Sequence, residues 1–410
     1  MQRPENPRAR TLAGFVDPRA NTLNFVRLIL AGSVVFWHAY PLNGHPFPWE
    51  GGRQIAGSIG VDGFFAISGF LLAGSWLHKP HIATYAKNRL LRIMPAFWVC
   101  LLVVGFGFAP LAALAQGGSV GQVLDGPHSA LQYVLRNSAL TIQFHDVAGT
   151  PADVPLSGVW NGSLWTLRWE ALAYVGLAAL GLLGILRHRA AVLALLGLLW
   201  LATIGLAADV LPQNYWLVNG TRLGLMFVAG MVLHLYGDRI TSRWWLAAVC
   251  TALLVASPLL PDYRILAGPA VAYLVIWSGG RITDPRLRLT DRDISYGLYI
   301  YAFPIQQALV IAGSAALPPL VAAVLAIALT VPLAVASWVL VERPALRLKY
   351  RRLWPRAWSR VRLASPQPTS SLPGTVPVRP VAGHTGVGHL PAVVIPGVDV
   401  TDPPPPAPPS

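Results

Sequence analysis

Long apolar runs separated by short polar segments make up most of the chain. A helix that crosses a bilayer needs about 20 predominantly apolar residues. The pattern therefore predicts an all-α, polytopic membrane helix bundle with about ten transmembrane helices. The predicted spans are 23–42, 58–77, 93–115, 166–186, 190–208, 222–237, 244–260, 264–280, 294–313 and 317–341.

Basic residues predict the orientation of these spans, because Lys and Arg collect in cytoplasmic loops. With a cytoplasmic N-terminus, twelve loop cations lie inside and five outside. An even number of spans then places both termini in the cytoplasm. The inner cations are Lys79, Lys87, Arg89, Arg92, Arg187, Arg189, Arg239, Arg243, Arg281, Arg286, Arg288 and Arg292, and the outer ones are Arg53, Arg136, Arg168, Arg222 and Arg264.

Composition supports a membrane protein, with 54% hydrophobic and 12% charged residues. The net charge of +14 is explained by this topology and by attraction to the lipid bilayer's anionic inner leaflet. No basic and aromatic stripe predicts a nucleic-acid partner. The first apolar run contains Arg27 and lacks a cleavage site, so it predicts an uncleaved anchor in the plasma (inner) membrane.

The pattern divides the chain into three parts. Residues 1–20 are a predicted cytoplasmic tail, and residues 21–345 form the transmembrane domain. Residues 346–410 begin basic and become Pro-rich, with too few large apolar groups for a core. They therefore predict a disordered cytoplasmic tail.

The longest predicted outer loop covers about residues 116–163. Its apolar residues recur at near-helical spacing, which predicts an amphipathic helix that covers the outer mouth of the bundle. These residues are Leu131, Val134, Leu135, Ile142 and Phe144.

The two cysteines, Cys100 and Cys250, both fall within predicted spans. This position favours small buried hydrophobic residues over disulfide partners or thiolate ligands. No metal site is predicted.

Arg27 and His38 are ionisable residues within the first predicted span, eleven positions apart. At about 100° per residue this spacing puts both on one helix face, roughly 16 Å apart along the axis. Such groups are costly inside a membrane and are presumed functional. The alternative is that Arg27 snorkels to lipid headgroups while His38 lies at the opposite interface.

Two carboxylates enter the predicted membrane from the same outer side as His38. Asp62 opens the second span and could orient a histidine, or it could be an interfacial helix cap. Glu170 lies about one turn inside the fourth span and needs a partner such as Arg168, Arg222 or His38. A purely structural ion pair is the alternative for Glu170.

Arg89 and Arg92 lie three residues apart near the predicted cytoplasmic mouth. This spacing puts them on one helix face, as a fork suited to phosphates. Anchoring by the positive-inside rule is the simpler alternative.

Five segments together resemble acyltransferase family 3, a family of integral-membrane proteins. The resemblance runs in order over about residues 20–345. The segments are Arg27-x10-His38, Gly60-Val-Asp-Gly-Phe-Phe-Ala-Ile-Ser-Gly-Phe70, Arg89-Leu-Leu-Arg92, Ser163-Leu-Trp-Thr-Leu-Arg-Trp-Glu170 and Ile294-Ser-Tyr-Gly-Leu-Tyr-Ile-Tyr-Ala-Phe-Pro304.

The resemblance implies an O-acyltransferase that moves an acyl group, often acetyl, from cytoplasmic acyl-CoA to a hydroxyl. The implied acceptor is a surface polysaccharide, glycolipid or related molecule, and acyl-CoA is a co-substrate that is not permanently bound. His38 would be the catalytic histidine, Arg27 its motif partner, and Arg89 with Arg92 the acyl-CoA side.

His38 could act as a general base, with Asp62 or Glu170 holding its tautomer, or it could carry the acyl group covalently. A transporter or flippase could instead use the buried charges as a proton or substrate relay. That alternative predicts repeated halves, and the two halves show no convincing similarity. A membrane scaffold would leave the spacing of Arg27 and His38 unexplained.

Overall fold

The computed structural model describes residues 11–16, 21–282, 284–289 and 293–350. Within these ranges the chain forms helices and isolated bridges, with no strands. The α-helices are α1 Leu12–Phe15, α2 Leu23–Leu42, α3 Arg53–His78, α4 Ile82–Val103, α5 Ala109–Ala115, α6 Val120–Asp125, α7 Ala130–Asn137, α8 Trp165–Leu182, α9 Arg189–Ala207, α10 Tyr215–Leu235, α11 Trp244–Ala256, α12 Arg264–Arg281, α13 Ser295–Ile311, α14 Pro319–Ser337 and α15 Arg343–Arg347.

Every predicted span overlaps a helix, which confirms the all-α class for the described residues. By length and apolar composition, six helical segments in this part of the chain are candidate membrane spans. The protein is therefore a multi-pass membrane protein, whereas ten crossings and cytoplasmic termini stay predictions. The six are Leu23–Leu42, Glu50–His78, Ile82–Ala115, Arg189–Ala207, Tyr215–Leu235 and Pro319–Arg347.

Three contacts between distant segments join residues that the predicted topology puts on the same side. On the predicted inner side, Arg189 binds Asp238 at 2.8 Å, and Lys87 Nζ donates to the carbonyl of Lys349 at 3.3 Å. On the opposite side, Ser314 Oγ donates to the side chain of Asn43 at 3.0 Å. Each contact thus joins two residues with the same predicted side, and the orientation of the bundle in a membrane stays a prediction.

α3 and α10 form the most closely packed helix pair. A Cβ atom on Gly69 would lie 1.9 Å from the carbonyl oxygen of Phe227, and one on Gly230 would lie 2.0 Å from that of Ala66. Only glycine permits this backbone approach, which is typical of packed membrane helices. The packing fixes the helix that carries Asp62.

The outer loop contains two short helices, α6 and α7, instead of one longer amphipathic helix. Leu131, Val134 and Leu135 lie in α7, but Ile142 and Phe144 follow its end. The Asn137 side chain explains this end, because its amide donates to the carbonyl of Phe144 and its carbonyl accepts from the amide of Gln143. The prediction was therefore correct only for the first turns.

Both predicted tails contain helical residues. Leu12, within the predicted N-terminal tail, is fully buried, and its amide donates to the carbonyl of Ile240 at 2.8 Å. At the other end, helical structure continues through 348–350, beyond the predicted boundary at residue 346. The predicted disorder after residue 350 falls outside the described residues.

Candidate functional site

α2 places Arg27 and His38 on one continuous helix, as the sequence predicts. The His38 ring packs edge-on against Phe303, with ring centroids 5.1 Å apart. The backbone of Val34, one helical turn earlier, lies within reach of a hydrogen bond from the imidazole. Because a neutral imidazole has one donor and one acceptor nitrogen, this bond leaves the second nitrogen free to accept a proton.

Arg92 joins three segments at the predicted inner end. Its Nη2 lies 2.6 Å from Asp293 Oδ2, and its Nη1 lies 3.2 Å from Glu342 Oε2. Arg27 Nη1 lies 3.6 Å from the same Asp293 oxygen. We call Arg27, Arg89, Arg92, Asp293 and Glu342 the inner cluster.

Asp293 remains a charged member of this cluster. Burial alone would raise the pKa of Asp293, but the Arg92 and Arg27 guanidiniums, together with hydrogen bonds from Ser295, lower the pKa below its usual range. The carboxylate therefore stays ionised at neutral pH and holds both arginines.

Two neighbouring cavities share Arg27, Ser68, Arg89 and Arg92 in their walls. The entrance cavity has a volume of about 360 Å³ and also touches Lys349. The inner cavity has a volume of about 80 Å³ and runs deeper between the helices. The inner cavity is further lined by Val61, Phe64, Phe65, Ile93, Thr166, Leu167, Glu170, Tyr174, Ser295, Tyr296 and Tyr299.

Glu170 faces the inner cavity from α8. The Tyr174 hydroxyl, one turn further along, donates a hydrogen bond to its carboxylate. Arg89 lies over the ring of Tyr174, 5.7 Å from the centroid. Glu170 therefore shares a cavity with Arg89 but has no ion pair with Arg168, Arg222 or His38 among the described contacts.

α13 connects the inner cavity to His38. Tyr299 lines the cavity, and Phe303 follows one helical turn later, against the His38 ring. The Tyr299 hydroxyl lies 2.6 Å from that of Thr166. A polar wall thus ends about one turn, roughly 6 Å, below the contact between Phe303 and His38.

Asp62 belongs to a different group, which we call the outer cluster: Asp62, Arg222, Asp262, Tyr263 and Arg264. Its Oδ1 accepts from Arg222 at 3.1 Å, and its Oδ2 accepts from Arg264 at 2.6 Å and from the Tyr263 hydroxyl. Asp62 is fully buried. Within the described chain no hydrogen bond links Asp62 to His38.

An outer cavity of about 530 Å³ lies beside this end of the bundle. Its wall combines aromatic rings with amide, imidazole and guanidinium groups, the mixture expected of a site for a polar molecule. The lining residues are Leu140, Ile142, His145, Asn161, Gly162, Trp165, Arg168, Tyr215 and Asn219. Arg168 also stacks on Trp216, 4.4 Å from the ring centroid.

Gly162 brings the outer cavity close to His38. A Cβ atom on Gly162 would lie 2.7 Å from the Phe303 ring, and the same ring contacts His38. Glycine is required for this approach. Phe303 therefore links Gly162, in the wall of the outer cavity, to His38.

The structure brings together Arg27, Arg89, Arg92 and Glu170, and leaves Asp62 in a separate cluster. Sequence reasoning missed Asp293, Glu342 and Lys349. Asp293 and Arg92 are 201 positions apart, so no periodic pattern could reveal their contact.

Neither cysteine lines one of the three cavities described above. Cys100 and Cys250 are free and buried. In the described ranges, no group of three His, Cys, Asp or Glu residues could hold a metal ion.

A family model described as an acyltransferase domain matches residues 21–339. The O-acetyl transferase of Shigella phage Sf6 is similar, with 27% identity over 302 residues that cover 71% of this chain and 86% of that protein. Nodulation protein 10 of Rhizobium leguminosarum bv. viciae is 27% identical over 377 residues, covering 80% and 94%.

The exopolysaccharide production protein ExoZ of Rhizobium meliloti (strain 1021) is 27% identical over 345 residues, which cover 76% of this chain and 95% of that protein. No solved structure matches the chain. The matched range, 21–339, contains all six candidate residues: Arg27, His38, Asp62, Arg89, Arg92 and Glu170.

Proposed function

The chain belongs to acyltransferase family 3 and is an acyltransferase that transfers groups other than aminoacyl groups, and we propose that it acetylates a surface polysaccharide or glycolipid. The proposed donor is cytoplasmic acetyl-CoA. The proposed acceptor is a hydroxyl that approaches from the outer side.

One observation carries this proposal: the helices α2 and α13 both run from the cation-lined cavity to His38. α2 bears Arg27 in the cavity wall and His38 about three turns further on, and α13 bears Tyr299 in the cavity wall and Phe303 against the His38 ring. The cavity wall holds three arginines, Arg27, Arg89 and Arg92, and its positive charge suits the phosphates of CoA. The pantetheine arm would follow the inner cavity upward, with its thioester towards His38.

The proposed reaction needs a base for the acceptor hydroxyl. The hydroxyl oxygen attacks the thioester carbonyl carbon and forms the new ester bond, while the carbon–sulfur bond breaks. His38 accepts the hydroxyl proton and returns it to the leaving CoA thiolate. The surrounding apolar residues exclude water, which would otherwise hydrolyse the thioester.

A covalent route is chemically balanced as well. The His38 nitrogen would attack the thioester carbonyl carbon, the carbon–sulfur bond would break, and the CoA thiolate would take the N–H proton of the acylated ring. The acceptor hydroxyl would then attack the acyl carbon, break its bond to the imidazole and return its proton to the ring. Trapping radiolabelled acyl-protein in wild type, but not in His38→Ala, would support the covalent route. Strictly ternary-complex kinetics would exclude it.

The carboxylates have different proposed roles. Glu170 faces the donor cavity, so we assign it to donor orientation in place of contact with His38. We assign Asp62 a structural role, because its oxygens are engaged by the outer cluster. The Val34 backbone would hold the His38 tautomer.

The acceptor class is drawn from two similar proteins. One is named an O-acetyl transferase, and another is named for exopolysaccharide production. The outer cavity supplies aromatic faces and hydrogen-bonding groups that suit a sugar. A transporter or flippase would also use buried charges, but family membership does not favour it.

The first experiment is transfer of radiolabelled acetyl from acetyl-CoA into glycan and lipid fractions of membranes. It compares wild type, His38→Gln and His234→Gln. His234 is a matched control, because it is another histidine of a candidate span and packs edge-on against Phe70 at 5.3 Å.

We expect label with wild type and His234→Gln, and a loss of about 10²- to 10⁴-fold with His38→Gln, the range for a general acid–base group. Equal transfer by wild type and His38→Gln would overturn the role of His38. Transfer from another acyl donor but not from acetyl-CoA would overturn the donor.

A further inference from the structure

The cations at the entrance cavity differ in how far carboxylates neutralise them. Arg92 is held on both sides, by Asp293 at 2.6 Å and by Glu342 at 3.2 Å. Its guanidinium also lies over the Tyr296 ring, 5.5 Å from the centroid. Arg92 therefore has few donors left for a ligand.

Arg89, one turn earlier on α4, is arranged differently. It has no ion pair among the described residues, and its buried Nε lacks a hydrogen-bond partner there. Arg89 lines both the entrance cavity and the inner cavity. Leaving a buried charged donor unsatisfied is costly, so an anion in this space would be favoured.

Lys349 brings a second cation to the same entrance. It lies ten residues beyond the end of the family match at residue 339 and lines the entrance cavity with Arg89. A hydrogen bond from Lys87 Nζ to its carbonyl ties this segment to α4. No carboxylate is within ion-pair distance of Lys349 in the described chain.

The field at Lys349 is positive. Burial, followed by the charges of Arg89 and Arg92, lowers the pKa of Lys349 to about 8. Asp293 is the one carboxylate among the residues that line the entrance, together with three arginines. This end of the cavity therefore favours an anionic group.

We propose that Arg89 and Lys349 form the binding seat for the phosphates of the acyl donor, while Arg92 is a positioning residue. Arg89 offers a planar fork of donors, and Lys349 offers a compact charge. Arg92 holds α4 to the π-helical turn Trp338–Glu342, just before the segment that carries Lys349. The inference rests on the proposed function, because it takes acyl-CoA as the donor.

The test is CoA binding to the purified full-length protein in neutral detergent, measured by titration calorimetry. The variants are Lys349→Gln, Lys349→Arg and the control Lys79→Gln, an exposed lysine at the same end. We expect Lys349→Gln to weaken CoA binding about tenfold, the scale of one charge-assisted hydrogen bond. Lys349→Arg should keep most of the affinity, and Lys79→Gln should change nothing.

The role of Arg92 is tested by a double-mutant cycle. If Arg92 acts by placing Lys349, Arg92→Gln should weaken CoA binding in wild type but add little in the Lys349→Gln background. Additive losses would show direct phosphate binding by Arg92 and overturn its positioning role. Stability alone would not produce the coupling.

Anionic lipid headgroups also carry phosphates, so a separate experiment must distinguish binding of lipid from binding of CoA. Mixed micelles with phosphatidylglycerol should not compete with CoA at this seat. Competition that Lys349→Gln abolishes would instead assign the seat to lipid. With acetyl-pantetheine, which lacks the nucleotide phosphates, wild type and Lys349→Gln should transfer equally.

The failure of this inference is distinct from failure of the proposed function. If CoA binds wild type and Lys349→Gln with the same affinity, the phosphate seat is refuted while the donor stands. If CoA does not bind wild type at all, the donor in the proposed function is refuted as well.

Discussion

Two arginine–carboxylate clusters in this bundle contain the same residue types but differ in what surrounds them. The outer cluster pairs Asp62 and Asp262 with Arg222 and Arg264, and none of these four lines a described cavity. The inner cluster sets three guanidiniums against two carboxylates and opens on two cavities. Surplus charge facing open space thus distinguishes a binding region from a structural ion pair.

The largest effect should follow from breaking the outer cluster. Asp62→Asn would leave Arg222 and Arg264 buried without their shared countercharge, at a cost of about 3–5 kcal/mol. We expect a large loss of folded yield and thermal stability in detergent. Transfer activity per folded molecule should stay close to that of wild type.

The matched variant is Asp293→Asn in the inner cluster, where the carboxylate is 10% exposed. It should lose less stability and alter CoA affinity. If Asp62→Asn were instead stable but inactive, Asp62 would act directly with His38, and the contrast between the clusters would fail.

A second variant separates the donor end from the path to His38. In Gly162→Ala, the new methyl group would lie 2.7 Å from the Phe303 ring and displace this ring, which contacts His38. A displacement of about 1 Å near reacting groups can cost about 10²-fold in rate. We expect kcat to fall by up to that factor while KM for acetyl-CoA stays unchanged.

Gly176→Ala is the control for Gly162→Ala, because nothing lies within 4 Å of a Cβ atom at Gly176. Its kinetics should match wild type. A raised KM for acetyl-CoA in Gly162→Ala would mean that the donor site extends to the outer cavity.

Apolar periodicity located the helices well, because the bilayer imposes a length and composition on each. It also placed Arg27 and His38 on one helix and brought Arg89 and Arg92 to the same end as Arg27. These successes concern residues that share an element or a side of the bundle. Local spacing contains that information.

Contacts between charged residues of different helices could not be predicted in the same way. Asp62 was predicted beside His38 because both lie in the outer half, yet its partners Arg222 and Arg264 lie 160 and 202 positions away. Lys349 was predicted to belong to the basic tail. Helix packing, which no single sequence displays, decides which charges meet.

Raising the ionic strength should affect donor binding at the inner cluster several-fold more than it affects the outer cluster. Salt at about 0.5 M screens charges at an open cavity far more than charges in a closed cluster. We expect KM for acetyl-CoA to rise about threefold or more between about 0.05 and 0.5 M KCl, with little change in thermal stability. Acetyl-pantetheine is the control donor, and an equal salt effect on its KM would contradict phosphate binding.

The smallest predicted effect is on the pH dependence of donor binding. Lys349, with a pKa of about 8, loses its charge as pH rises through that value, so the phosphates must then bind a neutral amine. Arg27, Arg89 and Arg92 keep their charges throughout this range. The remaining neighbours are Asp293, which stays ionised, and Lys87, which donates to the Lys349 carbonyl.

Affinity for desulfo-CoA, which lacks a titrating thiol, should therefore fall above about pH 8 by a few-fold per pH unit. One titrating proton limits this decline to about tenfold per pH unit. Lys349→Arg should bind with no such decline, because its guanidinium stays charged. Lys349→Gln should bind weakly at every pH. A decline that persists in Lys349→Arg would mean that a group other than Lys349 titrates. Lys349 would then not contribute to the positive charge by which the inner end differs from the outer cluster.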